Sequence, residues 1–319
     1  MSPRRLTLAF VMNPLEAIDI DADTTFALML DAQRRNHEVL YVSPSDLTAS
    51  NRGPSAQARP AALRRERGRH FELGDVRTVL LDEEVDLVFQ RVDPPVDAEY
   101  RIATQILALC RRAVVLNRPE GILAANEKLY TLGFPELMAE TLVSRKILEL
   151  LDFMDKLGGE MIVKPLDGKG GEGIFHLRRE DQNLRSILEQ STRFESCRIM
   201  AQRYLPAVRE GDKRILLVDG EPIGAVLRVP GANEVRSNLH VGGSPHRAEL
   251  DESDRKIVET IAPSLRRDGL FFVGIDVIGG FLTEINVTSP TGVQEIDSLE
   301  NRCLEAEILD AAEAQLRNR

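Results

Sequence analysis

Near the C-terminus, residues suited to binding a cation fall on two β-rich segments around Gly279-Gly280, a strong hairpin signal. Because side chains alternate along a strand, Glu284 and Asn286 point to one face. A three-residue loop, Gly279 to Phe281, would place Asp276 across from Glu284 on that face. A two-residue loop would turn Asp276 away. The spacing therefore predicts two carboxylates and an amide oxygen at one spot, provided that the loop has three residues.

Oxygen ligands of this kind suit a hard cation such as Mg²⁺. Acids without a counter-charge would be costly among the apolar neighbours of this run, and a bound cation is the natural compensation. The alternative is a surface hairpin whose acids face water. Taken alone, the hairpin leaves both interpretations open.

A glycine-rich stretch upstream, Gly168 to Gly173, matches the G-x-G-x-x-G pattern of dinucleotide folds. That fold requires a helix to begin inside the glycines, but the residues that follow, Ile174 to Arg178, have an extended pattern. A strand-loop-strand flap is therefore predicted, and its backbone N–H groups could close on phosphate. Lys164, at the end of an apolar strand, suits a phosphate counter-charge. The alternative is a flexible hairpin without chemical importance, and Lys128 taken alone is a surface lysine.

Two arginines, Arg214 and Arg228, lie in apolar strand sequence between the flap and the acidic hairpin. An unpaired guanidinium there would be expensive, so each has either a carboxylate partner or an anionic ligand. With a phosphate flap upstream and a cation face downstream, phosphoryl transfer is the natural reaction class. Nucleophilic catalysis is poorly supported, because no Ser-His-Asp arrangement is evident and the five histidines are scattered.

Composition bounds these hypotheses. At 319 residues, with 43% hydrophobic and 29% charged residues, the chain is typical of a globular protein of about two domains. No apolar run approaches the ~20 residues needed to span a bilayer. Three distant cysteines argue against a disulfide framework and fit a reducing cytosol. The net charge of −10 argues against broad nucleic-acid binding.

The N-terminal third has a βαβ pattern, with Asp23 as a plausible helix N-cap, and predicts an open parallel sheet covered by helices. Residues 48–70 interrupt it with prolines, glycines and six arginines. That segment is either an anion-binding arm or, as we favour, a mobile solvated loop. After Pro119, a helix is expected to carry Asn126, Glu127 and Lys128.

Several longer strings resemble the ATP-grasp superfamily and, within it, the bacterial glutathione synthetases. They are Asn126-Glu-Lys-Leu, Ile162-Val-Lys-Pro-Leu-Asp-Gly-Lys-Gly-Gly, Gly211-Asp-Lys-Arg-Ile-Leu, Val218-Asp-Gly-Glu-Pro and Thr283-Glu-Ile-Asn-Val-Thr-Ser-Pro-Thr. Phe10-Val-Met-Asn-Pro-Leu and Arg91-Val-Asp-Pro-Pro extend the likeness into the N-terminal third. The resemblance spans nearly the whole chain.

The resemblance implies an α/β chain with an N-terminal pre-ATP-grasp domain, residues 1–122, and an ATP-grasp domain, residues 123–319. The second domain would include a glycine-rich lid at about 140–203. The implied reaction is ATP-dependent joining of γ-glutamylcysteine to glycine through an acyl phosphate. The family is typically tetrameric, which implies a homo-oligomer, and the implied partners are the small-molecule substrates ATP, γ-glutamylcysteine and glycine. The composition adds the expectation of a cytoplasmic protein without nucleic-acid or membrane partners.

The resemblance also implies residue roles. ATP would lie between two antiparallel sheets, with phosphates on Lys128 and Lys164 and adenine beside Gln202, Tyr204 and Leu205. Other nucleotide contacts would come from Asp167, Gly168, Gly170, Gly171, Gly173 and Asp212. Asp276, Glu284 and Asn286 would hold two Mg²⁺, with Mn²⁺ as a possible substitute. Arg214, Arg228 and Asn238 would steady the oxyanions, and the substrate set is Arg91, Asp93, Arg236, Ser289 and Thr291.

Two features loosen these assignments. Members of the family often have Asp where this chain has Asn13, which puts any charge role there in doubt. The run Arg236-Ser-Asn-Leu-His240 also resembles ribosomal-protein glutamate ligases of the same superfamily. A related carboxylate–amine ligase with a different acceptor amine is therefore the alternative function. A catalytically silent ATP-binding module and a grasp-fold kinase are less favoured.

Overall fold

The computed structural model describes residues 4–168, 170–231 and 242–317. Two of the candidate residues, Arg236 and Asn238, lie outside this described part. The described strands form three sheets, one N-terminal and two antiparallel sheets in the remainder of the chain. Among the described helices, none is long and apolar enough to cross a membrane.

The N-terminal sheet is parallel at its centre, as predicted. Its elements are β1 (Thr7–Met12), α1 (Thr24–Arg34), β2 (Glu38–Val42), β3 (Leu47–Ser50), β4 (Gly53–Leu63), β5 (Phe71–Leu73), β6 (Arg77–Leu80), α2 (Leu81–Glu84), β7 (Leu87–Arg91), α3 (Ala98–Leu107), β8 (Val114–Leu116) and α4 (Pro119–Ala124). Strands β2, β1, β7 and β8 pair in parallel. Asp23 caps α1 as expected, because its Oδ1 accepts a hydrogen bond from Phe26 N at 2.6 Å.

The predicted mobile loop at 48–70 is wrong over most of its length. Antiparallel strands replace it, since β4 pairs with β2, β3, β5 and β6. Small residues Ala56 and Ala58 alternate inward along β4 and are buried, while Gln57 and Arg59 face outward. This alternation is a strand signal. The prolines and arginines concealed it, because prolines are typical of turns and a run of like charges is typical of a solvated segment.

The rest of the chain builds the two antiparallel sheets. Its elements are β9 (Thr141–Ser144), α5 (Ile147–Lys156), β10 (Glu160–Pro165), β11 (Phe175–Arg178), α6 (Leu184–Ser191), β12 (Ile199–Gln202), β13 (Asp212–Val218), β14 (Glu221–Val229), β15 (Ser244–Arg247), α7 (Glu252–Asp268), β16 (Phe272–Ile278), β17 (Phe281–Asn286), α8 (Val293–Glu300) and α9 (Leu304–Arg317). The smaller sheet has the order β11-β10-β12-β9, and the larger has β15-β14-β13-β16-β17. Both orders bring the glycine loop and the acidic hairpin to sheet edges.

A shared core joins the N-terminal sheet to the larger antiparallel sheet. Leu8 and Phe10 of β1 belong to the same buried cluster as Leu216 of β13 and Ile308 of α9. A buried amide adds polar links, because Asn117 donates to Phe272 O at 2.8 Å and to Val287 O at 2.7 Å and accepts from Phe272 N at 2.6 Å. The strands that carry the acidic residues are therefore fixed directly to the N-terminal part.

Candidate active site

A cavity of about 830 Å³ lies where the three sheets meet. Most of the candidate residues of the described part line it: Arg91, Asp93, Lys128, Lys164, Gly168, Gly170, Gly171, Gln202, Tyr204, Leu205, Asp212, Arg214, Arg228, Asp276, Glu284, Asn286, Ser289 and Thr291. Gly173 and Asp167 do not; Asp167 lines a neighbouring cavity of about 170 Å³. Residues scattered over some two hundred positions thus converge on one space.

The acidic hairpin has the predicted pairing but not the predicted loop. Ile278 pairs with Phe281, so the loop is the two residues Gly279-Gly280, and the three-residue loop is wrong. The register then shifts, because Val277 pairs with Leu282 whereas Asp276 pairs with Glu284. Thr283 is the extra residue of this β-bulge. The bulge turns Glu284 back to the face of Asp276, which a regular two-residue hairpin would not do.

The carboxylate of Asp276 is buried between two guanidiniums. Arg214 binds it through Nε and, at 2.9 Å, through Nη2, while Arg228 Nη2 lies 2.9 Å from Oδ1. Arg228 also donates to Asp212 Oδ2 at 2.5 Å. Burial alone would raise the pKa of Asp276, but the two arginines outweigh it and hold the pKa well below its usual range. Both arginines therefore have carboxylate partners and also line the cavity.

Two buried lysines stand on either side of Glu284. Lys128 Nζ lies 3.5 Å from Glu284 Oε1 and Lys164 Nζ lies 3.9 Å from the same oxygen. Lys164 also donates to the backbone oxygen of Thr283, the bulge residue, at 3.1 Å. Burial lowers the pKa of Lys164, with Glu284 opposing and Lys128 adding to the effect. Two ammonium groups with one shared carboxylate leave positive charge directed at the cavity.

The glycine loop between β10 and β11 is held at its start by a short turn. Gly170, Gly171 and Gly173 have φ of 60°, 81° and 69°, values that other residues rarely adopt. Lys128 Nζ donates to Gly168 O at 3.0 Å, and Asn126 Nδ2 donates to Leu166 O at 3.1 Å. The strand-loop-strand prediction is confirmed by the antiparallel pairing of β10 with β11.

The segment from Asn126 to Lys128 is not helical, contrary to expectation. The α4 helix ends at Ala124, and Asn126 Oδ1 then accepts hydrogen bonds from Lys128 N and Leu129 N at 3.1 and 3.0 Å. A side chain that binds the backbone locally competes with continued helix. This turn aims Lys128 at the cavity.

The side chains of Gln202 and Tyr204, at the end of β12 in the smaller sheet, line the same cavity as the two lysines. The Tyr204 ring stacks on His176 with a centroid distance of 4.0 Å, and His176 lies 2.7 Å from Glu160. Gln202 is buried, and its Nε2 donates to Thr141 Oγ1 at 2.9 Å. Together with Leu205 these residues offer a flat apolar surface with polar edges.

The opposite wall of the cavity comes from the N-terminal sheet. Arg91 is buried at the end of β7 and donates to Thr25 Oγ1 at 3.1 Å and to Pro290 O at 2.8 Å. Burial lowers the pKa of Arg91 to about 10, with Asp23 and Asp93 opposing, so the guanidinium stays charged at neutral pH. Ser289 Oγ lies 3.4 Å from Arg91 O, whereas Thr291 reaches the site through its backbone oxygen, which accepts from Arg214.

Sequence reasoning did not single out Glu127 as a site residue. Its Oε1 accepts hydrogen bonds from Val287 N at 2.8 Å, Thr288 N at 3.1 Å and Thr288 Oγ1 at 2.9 Å. Burial and the nearby Glu284 raise the pKa of Glu127 against these hydrogen bonds. The sequence did contain a signal for Glu127, namely its position next to Lys128. A turn that directs one side chain into a site also determines the position of the adjacent residue. Asn13 takes a neutral role, accepting from Asp93 N at 2.9 Å.

The hairpin residues fit a divalent metal ion. Asp276, Glu284 and Asn286 all line the cavity from β16 and β17, and each supplies an oxygen of the type that hard cations prefer. Asn286 Nδ2 lies 3.3 Å from Asp276 Oδ2 and donates to Gly274 O at 3.1 Å, which leaves its amide oxygen turned away from both. The oxygens of these three side chains are therefore compatible with a bound metal ion, with the Asp276 carboxylate contacting both the metal and the two arginines.

Comparisons with known proteins cover nearly the whole chain. The model of the prokaryotic glutathione synthetase N-terminal domain matches residues 6–122, and that of the prokaryotic glutathione synthetase ATP-grasp domain matches residues 127–301. A glutathione synthetase of Gloeobacter violaceus is 46% identical over 312 residues, covering 96% of each chain. One of Brucella melitensis is 43% identical, covering 97% of this chain and 99% of the relative.

Solved structures agree on the fold. D-cycloserine synthetase DcsG aligns with a TM-score of 0.68 at 15% identity, covering 97% of this chain and 99% of that one. The ATP-grasp ligase PsnB, complexed with minimal precursor, Mg and ADP, aligns with a TM-score of 0.61 at 14% identity, covering 98% of each chain. At such identities the likeness concerns the fold alone.

Proposed function

The chain belongs to the prokaryotic glutathione synthetase family, and we propose that its cavity joins γ-glutamylcysteine to glycine at the expense of ATP. The observation that carries this proposal is the pair of buried lysines beside Glu284, facing the arginine–aspartate network across one cavity. Such an arrangement suits phosphoryl transfer, in which a protein acts by positioning groups and offsetting charge.

ATP would lie between the two antiparallel sheets. Its phosphates would meet Lys128 and Lys164, under the backbone N–H groups of the glycine loop, and its adenine would rest near Gln202, Tyr204 and Leu205. Asp276, Glu284 and Asn286 would hold the divalent metal, which we assign as Mg²⁺. When bound, that metal would neutralise phosphate oxygens and polarise the γ-phosphoryl group.

The ligation has two steps. An oxygen of the cysteinyl carboxylate attacks the γ-phosphorus, and the bond to the ADP oxygen breaks, which gives an acyl phosphate. The ammonium group of glycine first gives one proton to solvent; the free amine then attacks the acyl carbon, the bond from that carbon to the phosphate oxygen breaks, and the second N–H proton leaves with the phosphate. Arg214 and Arg228 would stabilise the oxyanions of both steps, with Asn238 as a third donor. The glycine loop would exclude water from the acyl phosphate.

The N-terminal wall suits the glutamyl end of the dipeptide. An amino-acid head group carries adjacent ammonium and carboxylate groups, and this wall sets the Arg91 guanidinium near Asp23 and Asp93. Glycine fits there less well, because its amine must lose a proton to react and nearby acids would oppose that loss. We therefore place glycine near Ser289 and Thr291.

The test is production of glutathione by the purified protein with ATP, Mg²⁺, γ-glutamylcysteine and glycine, detected by mass together with ADP and phosphate. A panel of other amines in place of glycine tests the alternative acceptor. If another amine supports ADP release and glycine does not, the glycine assignment is wrong. Replacing Mg²⁺ by Mn²⁺ in the same assay tests the choice of metal.

We also propose a cytoplasmic homo-oligomer, a tetramer by family resemblance, with a functional division at residues 1–122 and 123–319 and a lid at about 140–203. The smaller antiparallel sheet, which carries the glycine loop, supports the lid assignment. Light scattering on the eluted protein checks the oligomeric state, and a monomer at working concentration would contradict it.

A further inference from the structure

The turn between β4 and β5, residues 64–70, remains unused by the proposed chemistry although it holds four of the six arginines in the basic stretch. We call it the arm. Its backbone closes on itself, because Arg64 N donates to His70 O at 3.0 Å and Arg64 Nε donates to Arg69 O at 2.7 Å. The arm is thus a defined turn, and its other side chains are free of this internal bonding and can contact an adjacent segment.

That neighbour is the segment after β1, residues 13–23, which we call the wall loop. His70 Nε2 lies 2.7 Å from Leu15 O, Arg65 Nη1 donates to Ile20 O at 3.1 Å, and Arg67 pairs with Asp21. These three contacts fall at both ends of the loop. Leu15 and Ile20 are themselves buried, so their backbones are fixed from the arm side.

A second support reaches the same carbonyl from α8. Gln294 Nε2 donates to Ile20 O at 3.2 Å and to Asp23 O at 2.6 Å, while its Oε1 accepts from Arg65 Nη1 at 2.7 Å. The Arg65 guanidinium also lies over the Phe26 ring, 5.8 Å from its centroid. The contacts of Arg65 therefore require the directed N–H groups and the planar shape of a guanidinium, both of which lysine lacks.

The other side of the wall loop faces the cavity. Asn13, Ala17, Ile18, Asp19 and Asp23 line it, next to Arg91 and Thr25. This is the wall to which the proposed function assigns the glutamyl end of the dipeptide. The residues proposed to hold ATP, in contrast, come from the antiparallel sheets and from the turn after α4. Within the described residues, the arm has no hydrogen bond to them.

We propose that Arg65, together with His70 and Gln294, positions the wall loop for γ-glutamylcysteine, so that the arm sets the affinity for the dipeptide and not for ATP. The inference rests on the proposed function. None of the three residues lines the cavity, so they act through the loop and are positioning residues.

The test is steady-state kinetics of Arg65→Ala, Gln294→Ala and Arg65→Lys against the unaltered protein. We expect the KM for γ-glutamylcysteine to rise about tenfold or more in each, since small displacements of a binding wall are costly. The KM for ATP should stay within about twofold. Arg52→Ala, which removes an exposed arginine of the turn before β4, is the matched control and should change neither KM.

The variants separate the alternatives. If Arg65→Lys has the same KM for γ-glutamylcysteine as the unaltered protein, the positive charge of residue 65 is sufficient and its hydrogen-bond geometry is not required. That result would overturn the proposal and favour binding of an anion by these arginines. Equal changes in both KM values, or none in folded Arg65→Ala, also overturn it. Failure of the unaltered protein to ligate the dipeptide would instead refute the proposed function. Should Arg65→Ala not fold, Gln294→Ala and Arg65→Lys still decide.

Discussion

At the scale of single residues, the buried charges of the cavity work as one group. Asp276 is shared by Arg214 and Arg228, and Arg228 is shared by Asp276 and Asp212. Removing one member of such a network leaves a buried charge without compensation, which is strongly destabilising. The same carboxylate is the proposed metal ligand, so we expect stability and catalysis to depend on it together.

Asp276→Asn should therefore lower both stability and activity. We expect a loss of about 3 kcal/mol in the free energy of unfolding, measured by urea titration, because two guanidiniums lose their shared anion. Asn286→Ala is the matched control from the same hairpin face; it removes a neutral group and should cost about 1 kcal/mol. Equal losses in the two variants would mean that the network does not stabilise the fold.

A half-buried acid outside the cavity, Asp297, makes stability depend on pH. Burial and a hydrogen bond with Glu305 raise the pKa of Asp297 to about 7, against an opposing hydrogen bond from Leu304 N. The folded chain thus binds this proton more tightly than the unfolded chain does. The corresponding stability is complete below the unfolded pKa and is lost as pH rises to about 7.

Asp297→Asn should stabilise the protein above neutral pH, because the amide can accept from Leu304 N and donate to Glu305 at every pH. Since the carboxyl is half hydrated, we expect a gain of about 1 kcal/mol at pH 8, or about 2 °C in Tm, and little change at pH 5. Thermal unfolding at the two pH values measures it. The exposed Asp152→Asn of α5 is the control, and a gain independent of pH would contradict the assignment.

At the scale of elements, short irregularities determine where the charges point. The Thr283 bulge aligns Glu284 with Asp276 and presents a carbonyl to Lys164 of the smaller sheet. The turn after α4 directs Lys128 into the cavity. Asn126 caps this turn and also binds the start of the glycine loop. A bulge and an asparagine turn thus connect the two antiparallel sheets across the cavity.

Asn126→Asp tests the hold on the glycine loop. The aspartate keeps the oxygen that caps the turn but turns a second carboxylate oxygen towards Leu166 O and Asp167, where the amide donated at 3.1 and 3.4 Å. We expect the KM for ATP to rise about tenfold and a larger share of ATP to be hydrolysed without ligation. The ratio of ADP to glutathione measures this. An unchanged ratio in a variant of normal stability would refute the role.

At the scale of the whole molecule, the site depends on contacts between distant parts of the chain. The α9 helix packs against α1, where Arg35 donates to Asp310 at 2.6 Å, Glu313 at 2.8 Å and Ala306 O at 2.9 Å. Asn117 links the N-terminal sheet to the start of β16 and to the residue after β17. These contacts hold together the cavity walls that come from the N-terminal part and from the larger antiparallel sheet.

Asn117→Ala removes three buried hydrogen bonds and should lower the free energy of unfolding by about 3 kcal/mol. We also expect lower kcat per folded molecule, because β16 and β17 carry Asp276 and Glu284. Urea unfolding and ADP release measure the two effects. Asn183→Ala, an exposed position with no capping hydrogen bond, is the control and should be neutral. A variant as stable as this control would show that the shared core alone joins the parts.

Local rules were enough for much of this protein. The alternation along β17 determined that Glu284 and Asn286 share a face, the glycines determined a flap between two strands, and Asp23 determined the start of α1. Resemblance of longer strings supplied the family and the residues to examine. Each of these depends on neighbours in sequence, whose spacing fixes direction within a helix or strand.

Only the tertiary structure decided the rest. The bulge at Thr283 depends on Lys164, more than a hundred residues earlier, which binds the carbonyl that the bulge exposes. In sequence, Arg65 and Arg67 of the arm look solvated, but the wall loop supplies their acceptors, Ile20 O and Asp21. Arg214 and Arg228 could equally have faced a ligand or a carboxylate until the register of β13, β14 and β16 placed Asp212 and Asp276 beside them. In each case the partner that fixes the residue is distant in the chain, and local pattern carries no information about it.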